Sequence, residues 1–400
     1  MPRPPGGGWD WEYMGKSERS VLIVGASVRG LAESATTAGA GVLAVDAYGD
    51  LDLLARARTI ALRRDLGVDW SPAAAVAAAA GLVCSSVAYV SNIDNYPQCV
   101  TRLAAGRRLL GNPPDVVRRV RDPVRLAREL ARRGVAALRV RTEAPARTTG
   151  GRTWLLKPLR SGGGHGVRAW RPGERVSHSA YLQERVEGLP GSITFVADGR
   201  RAVPLGLSRQ LVGDPLFGAS GFRYCGSLLC GGPEPLFPCE SELAAGAVAL
   251  VTAVTEAFGL MGVNGIDFVA RDGVPWPIEV NPRYTASMEL VERIHGISIF
   301  DLHAEACGGR LPASSPFVRP ATRVAGKAIV YARDEVTMGH LRRWWNDANV
   351  RDVPHPGERI TRGQPICTVF GDAASETGCR EALAERAAVA YAAVQAEQAA

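Results

Sequence analysis

The chain opens on an apolar run, Val21 to Val24, that stops at Gly25. A helical stretch follows from Arg29 to Ala38, and a second apolar run, Val42 to Val45, ends on Asp46. Short continuous apolar runs on either side of a helix-period segment predict a β-α-β unit with parallel strands. Ala73 to Ala80 predicts another helix, Leu82 to Ser85 another strand, and Asn95-Tyr96-Pro97 the start of a further element. A helix is expected from Arg121 to Arg133, with Gly134 as its stop. Ile193 to Ala197 reads as a strand and Ser241 to Phe258 as a core helix. Lys327 to Ala332 and Ile366 to Phe370 read as strands around a turn at Pro354-His355-Pro356-Gly357, and Ala382 to Ala400 as an alanine-rich helix. Gly213 to Gly232 is rich in glycine and shows no period. It reads either as a loop over a substrate or as a plain surface connection.

One strand carries chemistry. Trp154-Leu155-Leu156-Lys157-Pro158 delivers a lysine, and Leu159-Arg160-Ser161-Gly162-Gly163-Gly164-His165-Gly166 follows at once. Only three lysines, Lys16, Lys157 and Lys327, stand among 47 basic residues. Lysine is a compact point charge where arginine is a planar fork, so its retention here is informative. Glycines let backbone N–H groups approach phosphate oxygens. The segment reads as a triphosphate cradle; the competing reading is a tight glycine-rich hairpin.

A second segment changes that balance. Gly262 to Ala270 alternates like a strand, Arg271-Asp272-Gly273 turns it, and Val274 to Val280 returns. The hairpin puts Asp267 and Glu279 on neighbouring strands. Residues two apart on a strand share a face, so Glu279 and Asn281 point the same way. Asp267, Glu279 and Asn281 are the hard oxygen donors that Mg²⁺ takes beside substrate phosphates. If the strand continues, Arg283 lies next to that metal. Solvated surface acids are the alternative, but Ile266, Phe268, Ile278 and Val280 read as buried, and buried carboxylates are costly unless paired.

The residues around Lys157, the Ser-Gly-Gly-Gly-His-Gly loop, Gln183-Glu184-Arg185-Val186, Asp267 and Glu279-Val280-Asn281-Pro282-Arg283 together resemble the ATP-grasp superfamily. Biotin carboxylase, D-alanine ligase and the purine-pathway carboxylase belong to it. Val24 to Ala32, Val45 to Asp52, Gln183 to Ser192 and Asp352 to Gly357 look more closely like a branch of predicted ATP-dependent carboligases related to biotin carboxylase. The resemblance implies an α/β and α+β chain. A flexible tail (1–19) precedes a Rossmann-like pre-ATP-grasp domain (20–110). A two-subdomain ATP-grasp fold follows (111–320, lid about 153–187), then a small C-terminal domain (321–400). It implies ATP between two sheets, with Lys157 on the phosphates. Ser161, Gly162, Gly163, Gly164, His165 and Gly166 would close over them, and Gln183, Glu184 and the backbone near Val186 would hold adenine. Mg²⁺, with Mn²⁺ as the alternative ion, would sit on Asp267, Glu279 and Asn281. Lys157 and Arg283 would be the catalytic cations.

The activity implied is ADP-forming carboxylate–amine ligation through an acyl phosphate, on small molecules or cofactor precursors. Some members of the branch are associated with one-carbon cofactor pathways. The alternatives are carboxylation with bicarbonate and non-catalytic ATP binding. A homodimer fits the superfamily's habit. One departure stands out. Many members carry a further phosphate-binding lysine where this chain reads Arg121-Asp122-Pro123-Val124-Arg125, and Arg121 or Arg125 is the candidate substitute.

Composition narrows the partners. A net charge of +7, with arginines spread along helices, does not suggest a nucleic-acid surface. No apolar run of membrane-spanning length is evident and Met1 to Ser20 lacks a signal-type hydrophobic stretch, so a soluble, cytoplasmic protein is expected. The eight cysteines form no C-x-x-C pair and are expected as thiols. Asp46 at a strand end matches a ribose-binding acid, but Gly25 to Gly30 lacks the full dinucleotide fingerprint. Ser27 and Arg29 are candidates for a substrate carboxylate, Ser287 and Glu289 for substrate selection.

Overall fold

The computed structural model describes residues 19–145, 152–231, 235–314, 323–340 and 342–398; the expected tail lies outside them but for residue 19. Residues 20–110 carry a parallel sheet of β1 (Ser20–Val24), β2 (Gly41–Asp46), β3 (Arg58–Ala61), β4 (Ser86–Tyr89) and β5 (Arg108–Leu110), in the order β3-β2-β1-β4-β5. Apolar β1 is buried along its whole length because helices cover both faces. The strand expected at Leu82 to Ser85 begins instead at Ser86. The Leu82 carbonyl is tied to Arg107 Nη2 at 2.6 Å, which takes this stretch out of the ladder.

The helix expected from Arg121 to Arg133 is present as Pro123–Arg132, and a separate helix, Pro114–Val120, precedes it. Proline at Pro123 has no N–H to give an earlier turn, so it starts a helix. Asp122 caps it by accepting the Val124 and Arg125 N–H groups. Arg121 is left at the break.

A small antiparallel sheet comes next, ordered β6-β9-β7-β8: β6 (Val140–Arg141), β7 (Trp154–Pro158), β8 (Arg168–Ala169) and β9 (Ala180–Glu184). Trp154, Trp170 and Leu182 form its own minor core. The main sheet contains β10 (Leu189–Asp198), β11 (Ala202–Val212), β12 (Tyr224–Cys230), β13 (Met261–Arg271), β14 (Val274–Asn281) and β15 (Val324–Tyr331). β16 (Val336–Thr337) pairs with β18 (Arg359–Ile360) apart from it, while β17 (Val350–Arg351) and β19 (Pro365–Ala373) complete it. The order is β14-β13-β10-β11-β12-β15-β19-β17. Two expectations change here. Gly213 to Gly232 contains a true strand, β12, and the C-terminal stretch extends the central sheet rather than building a separate one.

The helix Glu240–Phe258 is long and apolar enough, by length and composition, to cross a membrane, contrary to expectation. It packs Leu243, Leu250, Val251, Val254 and Phe258 into the largest core cluster. A second cluster joins Val21, Ile23 and Leu31 of the parallel sheet to Val196, Leu205, Val263 and Phe370 of the central one. Cys84, Cys99, Cys225, Cys367 and Cys379 are buried thiols.

Candidate active site

Lys157 and Gln183 belong to adjacent strands, since Leu155 pairs with Gln183 and Lys157 lies two residues on along the same face. Both are buried, and Lys157 Nζ donates to Gln183 Oε1 at 2.9 Å. Gln183 Nε2 donates in turn to the Ile278 carbonyl at 2.9 Å, tying the small sheet to β14. Glu184 ends β9, where Arg152 Nε donates to its carboxylate at 3.1 Å. Val186 lines the cavity beside it.

The loop after Lys157 folds over the cavity. Gly163, Gly164 and Gly166 have φ of 60°, 77° and 73°, the left-handed region that glycine enters freely. A Cβ on Gly164 would lie 1.8 Å from the Phe222 carbonyl oxygen, so only glycine allows this approach. The Tyr224 N–H donates to the Gly163 carbonyl at 3.1 Å, and Ser161 Oγ donates to the His165 carbonyl. The irregular part of Gly213 to Gly232 is therefore the surface the loop rests on. Gly162 and His165 are exposed.

Across the cavity, Asp267 and Glu279 are direct partners in the β13–β14 register, with Gly265 opposite Asn281. Ile266, Phe268 and Val280 are buried and Ile278 is half-buried. Asp267 accepts from Gln210 Nε2 at 2.9 Å and from Asn281 Nδ2 at 3.0 Å. Burial, together with the Glu279 charge opposite, pushes the Asp267 carboxyl up to about 6. Burial also opposes ionisation of Glu279, but Arg121, Lys157 and Arg283 outweigh it and hold that carboxyl below its ordinary range. Two carboxylates facing one another, with a side-chain amide beside them, are a donor set that fits a divalent cation. No cluster of three or more His, Cys, Asp or Glu is found among the described residues.

β14 ends at Asn281, so Arg283 is not on the strand. Its guanidinium still reaches the site: Nη2 donates to Asn281 Oδ1 at 3.1 Å, and Nε pairs with the buried Asp94 at 2.9 Å. Of the two candidates for the absent lysine, Arg121 is the one that reaches Glu279. It donates to Glu279 Oε2 at 3.2 Å, to Asn95 Oδ1 at 2.6 Å and to the Ser161 carbonyl at 3.4 Å. Nothing in the sequence pattern singled out Asp94, Asn95 or Gln210. They lie in a short turn and on an ordinary strand, and only the fold brings them here.

Asp46 is not free for a ribose. Its carboxylate accepts the N–H groups of Val28, Tyr48 and Gly49, which fixes the first loop. Arg29 is likewise engaged, by Glu33, Asp352 and Glu289. His303 is buried as a packing residue, and His295 is half-buried. Lys157, the glycine loop, Gln183, Val186, Asp267, Glu279, Asn281 and Arg283 all line one cavity of about 880 Å³.

Comparison with known proteins agrees with this architecture. Residues 120–287 match the ATP-grasp domain family. An uncharacterised protein of Methanocaldococcus jannaschii is 28% identical over 123 residues, covering 31% of this chain and 29% of that protein. This match thus spans less than a third of that relative's length. Among solved structures, a biotin carboxylase from Campylobacter jejuni aligns with a TM-score of 0.66 at 14% identity, covering 90% of this chain and 89% of the other. An L-amino acid ligase from Bacillus licheniformis gives 0.66 at 14% identity over 92% and 96%. N5-carboxyaminoimidazole ribonucleotide synthetase from Thermus thermophilus gives 0.63 at 17% over 91% and 96%. At these identities the likeness is one of fold.

Proposed function

We propose that this chain is an ATP-dependent ligase of the ATP-grasp superfamily, whose domain model matches residues 120–287. It activates a carboxyl-type acid by phosphorylation and passes the acyl group to a nucleophile. The observation that carries this reading is one cleft that faces the Lys157 strand and glycine loop toward Asp267, Glu279 and Asn281. Mg²⁺ bound by those three residues would supply neutralising charge to the ATP phosphates. Lys157 binds phosphate oxygens as a point charge, and the Gly162 to Gly166 loop offers its N–H groups and excludes water. Ser161 and His165 shape that loop, and Gln183, Glu184 and Val186 border the adenine end. Arg283, held in place by Asp94, and Arg121, at the break between two helices, offset charge on the transferring group. An oxygen of the acid attacks the γ-phosphorus and the β–γ bridging bond breaks, releasing ADP. The nucleophile then attacks the acyl carbon, and phosphate leaves. Positioning and charge neutralisation supply most of the rate.

Two finer readings lie within this chemistry. Bicarbonate as the acid is favoured by the recurrence of biotin carboxylases among the similar structures. An organic acid joined to an amine is supported by the likeness to the L-amino acid ligase. On either reading the partners are small molecules; a homodimer is a further proposal that sedimentation velocity checks. The main test is ADP and phosphate release with Mg-ATP across pools of amino acids, small carboxylates and bicarbonate. Stimulated release should fall by about 100-fold or more in Glu279→Gln. A bicarbonate requirement supports carboxylation, and an acid–amine pair turning over without it supports ligation. Release that survives Glu279→Gln unchanged would sink the assignment of this cleft.

A further inference from the structure

A second cavity, of about 470 Å³, lies against the outer wall of the cleft. Its volume falls within the range of small-molecule sites. One wall is the helix Pro123–Arg132, which contributes Val124, Ala127, Arg128 and Ala131. Their spacing, i, i+3, i+4 and i+7, puts all four on a single helix face. The other wall is the stretch 137–141, which runs into β6, with Trp154 at the start of β7. Trp154 and Lys157 stand three residues apart on β7, so they face opposite sides of the small sheet. Among the described residues the two cavities share only Leu138. The second cavity is therefore distinct from the phosphate cradle.

Four arginines line it, Arg128, Arg139, Arg141 and Arg152, and among the described residues no carboxylate does. The nearby acids are engaged elsewhere. Glu184 accepts from Arg152 Nε at 3.1 Å and stands 3.9 Å from Arg139 Nε. Glu129 pairs with Arg133 at 2.7 Å and with Arg132 at 3.8 Å; it feels the charge of Arg128 without pairing with it. Glu143, two residues past Arg141 in sequence, forms no ion pair with any of the four. Arg128 on the helix and Arg141 on β6 are thus two guanidiniums on facing walls without an acid. A concave site lined by one sign of charge over low-dielectric walls concentrates the opposite charge.

The remaining surface is apolar. Leu138 and Trp154 are buried but for the edge they present here, and Ala127, Ala131 and Ala137 leave open a slot that larger side chains would fill. A phosphate monoester carries close to two negative charges at neutral pH, enough to match two unpaired guanidiniums. The planar fork of arginine fits its oxygens. Inorganic phosphate would leave the apolar surface wet, and an uncharged molecule would cover cations with nothing to balance them. We propose that this slot is a second ligand site, for a small phosphate monoester on an aromatic ring system, with the phosphate between Arg128 and Arg141 and the ring against Leu138 and Trp154. Among the described residues no acid, hydroxyl or thiol lines the slot, so it binds its ligand without reacting with it. The site goes beyond the ATP-dependent reading and does not rest on it.

The test is calorimetric titration with the four common nucleoside 5′-monophosphates and 1-naphthyl phosphate, the cleft first filled with Mg²⁺ and a non-hydrolysable ATP analogue. At least one probe should bind one to one, while its dephosphorylated parent and inorganic phosphate each bind about tenfold or more weakly. Arg128→Gln and Arg141→Gln should each weaken that probe about tenfold, and Ala131→Leu should block it by filling the slot. Arg128, Arg141 and Ala131 are exposed, and leucine is a good helix former. All three variants should therefore keep the wild-type urea midpoint and bind the ATP analogue as before. Absence of binding by every probe, binding unaffected by both arginine substitutions, or displacement of the probe by the ATP analogue would each overturn the site. If the analogue itself fails to bind, the ATP-dependent reading falls alone, and the same titrations without it still decide this site.

Discussion

At the scale of single residues, environment decides what each ionisable group does. Asp267 and Glu279 are register partners, yet three cations hold Glu279 ionised while burial and its neighbour push Asp267 the other way. His303 shows the same principle away from the chemistry. Its Nδ1 accepts the Val263 N–H at 2.9 Å and its other ring nitrogen faces the Leu110 carbonyl at 3.2 Å, so the neutral ring joins the first residues of β13 to β5. Burial pushes its pKa down to about 4. The folded value lies below the unfolded one, so the unfolded chain takes up the proton first as pH falls. The contribution to stability is therefore whole above about pH 6.5 and is lost on acidification toward about pH 4. By pH 5 that loss is about 2 kcal/mol, from 1.4 kcal/mol per unit. Urea unfolding at pH 7 and pH 5 should show wild type losing about that much more than His303→Gln, the residue that cannot take up the proton. Parallel losses in the two proteins would contradict this account.

At the scale of elements, the glycine loop works by lying down on a partner surface. Gly164 meets the Phe222 carbonyl with no room for a Cβ, and Gly163 takes the Tyr224 N–H. Gly164→Ala should hold the loop off that turn. The loop is exposed and adds little to the core, so urea stability should change by less than about 1 kcal/mol. ADP release should fall about tenfold or more, because the lifted loop no longer excludes water or positions the phosphates. Unchanged turnover would mean that seating the loop on Phe222 is irrelevant to the reaction. Loop and hairpin were legible in the sequence because each is local: a strand, its turn and its return within twenty residues of one another. The surface they meet was not. β12 hides its strand pattern among glycines. The ion cluster at Glu289 was half legible: Arg29 and Glu289 stood out singly, but Asp352 and Lys327 reach them only through the fold.

At the scale of the whole molecule, the parallel sheet and the central sheet are not independent bodies. One core cluster contains Val21, Ile23 and Leu31 from the first and Val196, Val263 and Phe370 from the second. Polar ties reinforce it: the Leu51 N–H donates to the Val353 carbonyl at 2.8 Å, and Asp52 accepts the N–H groups of Asp352 and Val353. Shared apolar burial makes the two sheets stable only together. The small β6–β9 sheet differs, with its own minor core and a tie to β14 through Gln183. Scanning calorimetry should therefore show one main transition for the two large sheets. ATP with Mg²⁺ at about 100 times its dissociation constant adds about 2.7 kcal/mol to the folded state. For 400 residues the unfolding entropy is about 0.8 kcal/mol per degree, so the main transition should rise by about 3 °C. Two well-separated transitions, only one of them moved by Mg-ATP, would show that the parallel sheet unfolds on its own. The site would then depend on docking between separable bodies rather than on a common core.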